Sequence, residues 1–378
     1  MRLNAYESTF SMTGPVATAC LDVSRDDESG ARELELRWQA LRDDLAQSGA
    51  SDDALTRLEE AVLAPTGLPG GWGRVVAATG DRVLVDRVVP GRPRAHGWWG
   101  PMPHLMPVLE AESAAVTYLL ARVDRTGADI TVSARGEPVI SATETVDGDD
   151  HHVRKVHAGG WSDLRYQHTV ENVWESNAGE VADRIDRLAI EAAVDLVVVA
   201  GDVRATQLLQ EAVSERTRER LHVLESGARN AGAADEPVTE QLTALREHVA
   251  AQRARGHVDA YLEQKGRGER AASGLAATVE ALRRGQVEVL LVPQGWDDHE
   301  PAYVGDDPTL LALKSDELVS LGVREPVQAP VSDAVVRAAV GTDAQLVVVP
   351  DALLDMGGEP AAVLRFSDES TVHTSEEG

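Results

Sequence analysis

The residues best suited to contact a large partner lie in one short segment, HAGGWSDLRYQ at 157–167. Two adjacent glycines give the backbone freedom to approach another molecule closely, and a tryptophan indole can stack on a nucleobase. Residues 151–170 hold three cationic side chains against one acidic residue, and four of the eleven histidines. We therefore predict a loop that contacts RNA, with phosphates facing its cations. The candidate residues are Arg154, Lys155, His157, Gly159, Gly160, Trp161 and Arg165.

A structural role for the same tryptophan is the alternative. A large indole is rarely left in water, so Trp161 could fold back onto the helix that follows it, near Tyr166 or Trp174. In that case the tryptophan would stabilise its own helix rather than contact a partner.

A second basic and aromatic segment, RPRAHGWW at 92–99, lies in a stretch rich in proline and glycine. Proline and glycine at this density predict a loop without regular structure. Such a loop suits contacts with RNA, and its candidate residues are Arg92, Arg94, His96, Trp98 and Trp99. The alternative is that the tryptophan pair packs on the preceding hairpin and joins two domains.

The overall charge limits where nucleic acid could bind. The chain of 378 residues carries 36 Lys and Arg against 63 Asp and Glu, a formal net charge of −27. A uniformly acidic surface repels phosphate, so any RNA contact must be made by a local basic patch. The hydrophobic fraction of 43% allows a sizeable core.

Other features of the sequence predict neither a membrane protein nor a disulfide-stabilised one. The first residues lack the pattern of a signal peptide, and no apolar run is long enough to span a membrane. The single cysteine, Cys20, excludes an internal disulfide and a cysteine-based zinc site, and its neighbours predict a buried strand thiol. We expect a cytoplasmic protein.

Catalytic and cofactor motifs are weak. The sequence contains no P-loop, no dinucleotide-binding glycine pattern and no Ser-His-Asp arrangement. Two loops, 146–152 and 296–300, bring carboxylates and imidazoles together, but without the spacing of a helical metal site. We interpret both as solvated acidic loops. Asp202 follows an apolar strand and could face a ligand, although capping of the next helix is favoured. We expect no catalytic residue, metal or cofactor.

The order of predicted elements indicates a mixed α/β protein with three domains. The first, 1–110, contains the strand ATACLDVS, helices within 31–64 and a hairpin that turns at Thr79–Asp81. The second, 111–232, contains three strands, the glycine loop, a long helix from about Ser162 to Ala193 and the buried strand DLVVVAGD. The third, 233–378, begins with helices at 237–256 and 258–285 and ends with GGEPAAVLRF as an edge strand.

The second and third of these segments resemble the archaeo-eukaryotic class 1 peptide-chain release factors and Pelota. Gly159 and Gly160 match the glycines of their Gly-Gly-Gln tip, and Ser162, Arg165 and Tyr166 match the residues behind it. The segment ATVEALRRGQVEVLLVP and the closing GGEPAAVLRF are similar to their third domain. The likeness covers about 110–378 well and the first 110 residues only in outline. It implies a three-domain architecture of mixed α/β sandwiches.

The resemblance also implies a function and partners. It implies binding to the A site of the 70S ribosome, with the first domain facing the decoding centre and its ribosomal RNA. The glycine loop would face the peptidyl-transferase centre, and the third domain would bind a translational GTPase, elongation factor Tu in bacteria. The bacterial branch of the superfamily includes ribosome hibernation factors that lack the hydrolytic glutamine. Off the ribosome, we expect a monomer.

The departure from the release-factor pattern is Trp161, which stands where those proteins carry the glutamine that helps place the hydrolytic water. An indole has one N–H donor and no acceptor, so it cannot hold water as an amide does. We therefore expect a non-enzymatic ribosome-binding factor that acts in hibernation. The alternatives are a rescue factor that hydrolyses peptidyl-tRNA with His157 or Gln167, and an unrelated α/β protein that binds a small ligand at Asp202.

Overall fold

The structure is a computed structural model. It describes residues 1, 3–10, 14–25, 29–68, 71–124, 127–133, 140–147, 161–224, 235–368 and 371, and within these it leaves the side chains of 140–145, 147, 161–174 and 235–236 undescribed. The chain forms two compact units, of which one combines Met1–Ala114 with Ala251–Gly378 and the other is Ala115–Ala250. The first predicted domain and the third from residue 251 onward therefore lie in one unit, whereas residues 233–250 belong to the other.

The N-terminal part of the first unit is a four-stranded antiparallel sheet covered by helices. Periodic apolar residues of α2 and α3 pack on β1 and β2, and include Leu34, Trp38, Leu41 and Leu45 of α2. The predicted hairpin at 79–81 is confirmed by the antiparallel pairing of β2 with β3, and the strand order is β3-β2-β1-β4. The elements are α1 (Glu7–Phe10), β1 (Val16–Asp22), α2 (Gly30–Gln47), α3 (Asp52–Leu63), β2 (Trp72–Ala78), β3 (Val83–Pro90), β4 (His96–Gly100) and α4 (Met106–Ala114).

The prediction that the proline- and glycine-rich segment lacks regular structure is wrong. Residues 96–100 form β4, which pairs antiparallel with β1 and places Ala19 opposite Gly97. The prolines of the segment lie outside the strand, at 90, 93, 101, 103 and 107, so they remove no hydrogen bond from it. A side chain at Gly97 would come within 2.9 Å of Leu41, so its glycine lets α2 pack closely on β4.

The second unit is a five-stranded mixed sheet in the order β7-β6-β5-β8-β9. The three predicted strands of 114–145 are confirmed as an antiparallel meander, and DLVVVAGD is confirmed as β8, which pairs parallel with both β5 and β9. Its elements are β5 (Tyr118–Asp124), β6 (Gly127–Ser133), β7 (Ile140–Asp147), α5 (Trp161–Glu191), β8 (Leu196–Gly201), α6 (Val203–Ala212), α7 (Glu215–Arg218), β9 (Leu221–Val223) and the first half of α8 (Asp235–Arg267).

The C-terminal part of the first unit contains two further sheets, in the orders β10-β16-β11-β15 and β13-β12-β14. The nearly fully buried helix α11 lies in a core that also includes Phe10, Leu105 and Leu109 from the N-terminal part. The elements are β10 (Ala271–Ser273), α9 (Leu275–Arg283), β11 (Val287–Pro293), β12 (Pro301–Val304), β13 (Leu311–Ala312), α10 (Ser315–Ser320), β14 (Val327–Pro330), α11 (Val331–Gly341), β15 (Gln345–Val349) and β16 (Ala361–Leu364).

Two predictions for this C-terminal part are wrong. The helix predicted to end at 256 continues to Arg267, because Gly256 is tolerated inside α8 and the chain turns instead at Gly268, whose φ is +67°. Strand β16 is not an edge strand, since it pairs with β10 on one side and β11 on the other. The three-residue β10 is too short to give a periodic signal in the sequence.

None of the described helices is long and apolar enough to cross a membrane.

Candidate functional site

The glycine loop precedes the longest helix of the second unit. Arg154, Lys155, His157, Gly159 and Gly160 lie outside the described residues. Trp161 is the first residue of α5, and Arg165 lies in its second turn, although neither side chain is among those described. The helix thus begins one residue before the predicted start. An α-helix rises about 1.5 Å per residue, so the 31 residues of α5 extend about 46 Å from Trp161.

The second half of α5 is fixed in the core of its unit. Val181, Ile185 and Leu188 are buried against β5, β6 and β8. Asp186, on the same half, accepts hydrogen bonds from the backbone N–H of Ser214 at 2.9 Å and from its hydroxyl at 2.8 Å, as well as from the hydroxyl of Thr217. These contacts fix the axial position and the rotation of α5, so Trp161 is the first residue of an anchored helix.

Asp202 caps a helix, as the favoured interpretation predicted. Its carboxylate accepts hydrogen bonds from the backbone N–H groups of Arg204 at 3.0 Å and Ala205 at 3.1 Å, at the start of α6. The carboxylate therefore satisfies two otherwise unpaired helix donors.

The second candidate segment divides into exposed and packed residues. Arg92 and Arg94 are in the connection between β3 and β4, and both are exposed. Trp98 and Trp99 follow each other on β4 and therefore point to opposite faces of the sheet. Trp99 packs against the core formed with α2 and α3, whereas Trp98 stacks on His299 with ring centroids 5.7 Å apart and an interplanar angle of 7°. Both indoles are half-buried and packed, so neither lies on an open loop.

A cluster of histidine and aspartate side chains lies next to Trp98. His96 comes from β4, His104 from the segment before α4, and Asp297 from the loop after β11. The candidate ligand atoms of these three residues all lie within 4.8 Å of one another. The loop 296–300 is therefore not simply a solvated acidic loop, because one of its carboxylates faces two imidazoles.

The centre of this His–Asp cluster is the buried pair of His104 and Asp333. His104 Nδ1 lies 2.9 Å from Asp333 Oδ1, and the two side chains are 2% and 1% exposed. Asp333 is in the first turn of α11, where the helix dipole favours a negative charge. On the other side of the ring, His104 Nε2 lies 3.5 Å from Asp297 Oδ1. The imidazole is thus held between two carboxylates.

The pKa values of the two histidines of the cluster are shifted in opposite directions. Burial alone would lower the pKa of His104, but the hydrogen bond and charge of Asp333, with the charge of Asp297, raise it above the ordinary histidine value. For His96, burial and the neighbouring His104 lower the pKa, with a further contribution from His299. His96 is therefore an uncharged nitrogen donor at neutral pH.

His96 was predicted as an RNA contact, whereas His104, Asp297, His299 and Asp333 were not predicted as site residues. His104 and Asp333 are 229 positions apart, and no local spacing relates them. The available signal was compositional, because the loop 296–300 places His299 beside acidic residues.

Comparisons with known proteins identify the family. A model of bacterial archaeo-eukaryotic release factor family 2 matches residues 117–267. The chain is also 31% identical over 372 residues to an uncharacterized protein present in two strains of Mycobacterium tuberculosis, with 97% of each chain covered.

Solved structures of translation factors also match, at low identity. The crystal structure of an archaeal translation termination factor matches with 15% identity and a TM-score of 0.23, covering 95% of this chain and 96% of that one. Pelota from Archaeoglobus fulgidus matches with 14% identity and a TM-score of 0.35, covering 97% and 93%. A model of ribosome-bound archaeal Pelota and ABCE1 matches with 15% identity and a TM-score of 0.39, covering 96% and 93%.

The match of the family model includes the glycine loop and α5, and the identity to the mycobacterial relatives extends over almost the whole chain. The chain therefore belongs to the bacterial archaeo-eukaryotic release factors, family 2.

Proposed function

We propose that this protein is a ribosome-binding translation factor that occupies the A site of idle or stalled 70S ribosomes, as a hibernation factor does. In this proposal the loop that ends in Gly159, Gly160 and Trp161 reaches the peptidyl-transferase centre and contacts ribosomal RNA there. The observation that carries the proposal is the position of this tripeptide, whose Trp161 begins the anchored helix α5, inside the segment matched by the family model.

The charge distribution supports contact through the loop rather than through the body of the protein. A net charge of −27 repels RNA over most of the surface. Arg154, Lys155 and Arg165 concentrate positive charge around the glycines, and Arg92 and Arg94 supply a second pair of cations. One of the matched structures is described as ribosome-bound archaeal Pelota, which supports the ribosome as the partner.

Trp161 is the reason for proposing binding without catalysis. Release factors of the superfamily use a glutamine at this position to help place water at the peptidyl-tRNA ester. An indole offers one donor and no acceptor, but its flat surface can stack on a base. We propose that Trp161 stacks on ribosomal RNA and that the protein is not an enzyme.

The first test is peptide release. Purified protein added to ribosomes with peptidyl-tRNA in the P site should release no peptide above the spontaneous rate. Release clearly above that rate would instead support the alternative, a rescue factor with peptidyl-tRNA hydrolase activity, and His157→Ala and Gln167→Ala would then identify the residue that holds the water. Trp161→Gln is the informative comparison, because it restores the release-factor tripeptide.

The second test is ribosome binding measured by pelleting. If Trp161 stacks on a base, Trp161→Ala should weaken binding by about 1–3 kcal/mol, or about five- to 150-fold. Trp161→Phe should retain most of the affinity because it keeps an aromatic face. If Trp161 instead packs on its own helix, Trp161→Ala should lower the melting temperature and leave the binding of the folded fraction unchanged.

The cations of the loop have matched controls elsewhere in the chain. Lys155→Ala and Arg165→Ala should weaken ribosome binding and flatten its salt dependence, since each removes a phosphate contact. Lys314→Ala and Arg216→Ala remove the same charges from exposed positions before α10 and on α7, and should change neither quantity. Equal losses for the loop and control variants would show that only the net charge matters, and would contradict the proposed site.

We further propose that elongation factor Tu associates with the ribosome-bound protein through residues 233–378, and that the protein is a monomer when free. Deletion of this part is not a usable test, because its side chains form one core with Phe10, Leu105 and Leu109. Surface substitutions are suitable instead. Leu321 and Val327 are exposed and line one groove, so Leu321→Asp should reduce co-pelleting of the GTPase while ribosome binding persists. Unchanged co-pelleting would exclude this groove as the GTPase surface.

A further inference from the structure

We propose that the His–Asp cluster of the first unit is a zinc site, with His96, His104 and Asp297 as ligands and Asp333 as the residue that orients His104. The three ligands come from β4, from the segment before α4 and from the loop after β11. A bound ion would therefore join the N-terminal and C-terminal parts of this unit.

The spacing of the ligand atoms fits a tetrahedral ion. Zinc binds imidazole nitrogen and carboxylate oxygen at about 2.0–2.2 Å, so two ligands of a tetrahedral site lie about 3.4 Å apart, whereas neighbouring octahedral ligands lie about 3.0 Å apart. His104 Nε2 and Asp297 Oδ1 are 3.5 Å apart. His96 completes a group whose ligand atoms all lie within 4.8 Å of one another, which is wider than this tetrahedral spacing, so the side chains must draw closer to hold an ion.

Unsatisfied buried nitrogens point to a missing ligand. In the described part of the chain, His104 Nε2 and His96 Nε2 are both shielded from solvent and make no hydrogen bond. Buried polar atoms without a partner are uncommon because their desolvation is not compensated. His104 in particular is 2% exposed and directs Nε2 towards Asp297. An ion held between these atoms would satisfy both nitrogens.

The contacts behind His104 are those of a metal-binding histidine. Asp333 Oδ1 accepts the hydrogen bond of Nδ1 at 2.9 Å, which fixes the ring and leaves Nε2 for the ion. Such carboxylate–histidine–metal arrangements set the orientation and basicity of the ligand. Thr18 adds a second restraint, because its hydroxyl accepts a hydrogen bond from the backbone N–H of His104 at 3.1 Å.

The residues around the cluster leave one coordination position of the ion accessible to solvent. Asp297 is 39% exposed, which gives a path from solvent to the cluster. His299 lies on the other side of this carboxylate, with Nε2 3.5 Å from Asp297 Oδ2, and its ring stacks on Trp98. With three protein ligands, the fourth position of a tetrahedral zinc is left to water, as in zinc sites that exchange a ligand.

The experiment measures zinc binding by the full chain. Protein dialysed against EDTA is titrated with ZnCl₂ in the presence of a chromophoric chelator, and the bound metal is counted by mass spectrometry. We expect one zinc per chain and a higher melting temperature with zinc than without it. The Co²⁺-substituted protein should show the intense visible absorption of a tetrahedral site. The absence of stoichiometric zinc, or a weak octahedral Co²⁺ spectrum, would overturn the proposal.

Asp297→Asn is the discriminating variant, and its neighbour provides the control. Loss of residues behind a ligand weakens metal affinity by about 10- to 100-fold, so loss of a ligand should exceed that. Asp297→Asn and His96→Gln should therefore weaken zinc binding more than about 100-fold. Asp298→Asn makes the same change one position away and keeps the oxygen that accepts the hydrogen bond from the backbone N–H of Glu300, so it should bind zinc normally. Equal affinities of Asp297→Asn and Asp298→Asn would overturn the proposal, even if His96→Gln failed to fold.

Discussion

Two glycines of the second unit should respond oppositely to the same substitution. Gly179 lies within α5, and a methyl group there would meet no atom within 4 Å. Glycine in a helix interior is about 0.8–1 kcal/mol less favourable than alanine, so Gly179→Ala should stabilise the unit by about that amount. Gly201 ends β8 with a φ of +142°, and a methyl group there would overlap the carbonyl oxygen of Val123. A strained backbone costs about 1–3 kcal/mol, and the overlap with β5 adds to it, so Gly201→Ala should destabilise the unit by at least about 2 kcal/mol.

Native-state hydrogen exchange is the suitable assay, because it reads each unit separately and needs no single unfolding transition. Gly179→Ala should slow the exchange of amides in α5, β5 and β8 about fivefold, which corresponds to about 1 kcal/mol. Gly201→Ala should accelerate exchange of the same amides about 30-fold or more. Gly256→Ala, in open space on α8, is the control for helix propensity outside this unit. Changes of the same sign at Gly179 and Gly201 would refute the reasoning.

Three further substitutions or modifications test individual contacts. Burial raises the pKa of Cys20 to about 11, so a thiol reagent at pH 8 should label the native protein slowly and label one thiol at once in guanidinium; rapid native labelling would contradict the burial. Asp202→Ala should lower the free energy of unfolding of the second unit by about 1 kcal/mol through loss of the α6 cap, while Asp202→Asn should lose only a small part of it; equal losses would show that charge rather than capping matters. Gly97→Ala places a carbon 2.9 Å from Leu41 Cδ1, and overpacking of this kind lowers the free energy of unfolding by about 1–3 kcal/mol. Urea unfolding measures this loss. Gly14→Ala is the control, because a methyl group at Gly14 would meet no atom within 4 Å.

The elements that follow from local chemistry could be predicted from the sequence. The turn at Thr79–Asp81, the cap at Asp202 and, to within one residue, the start of α5 at Trp161 each depend on a few consecutive residues. Strand β4 could not be predicted in this way, because its Gly97 is explained only by the close approach of α2 from another part of the chain. The position of β16 inside its sheet could not be predicted either, because its outer neighbour β10 is too short to be recognised from the sequence.

The glycine loop and the His–Asp cluster also differ in whether they can be recognised from the sequence. The glycine loop is a run of adjacent residues, so its chemistry can be recognised from the amino-acid sequence alone. The His–Asp cluster is assembled from β4, the segment before α4, the loop after β11 and the first turn of α11, and none of these segments alone has the spacing of a metal site. What brings the residues together is the shared core of the N-terminal and C-terminal parts, in which α11 is buried from Val331 to Val340. The burial that makes His104 Nε2 costly to leave unpaired is thus a product of tertiary structure, and so is the site itself.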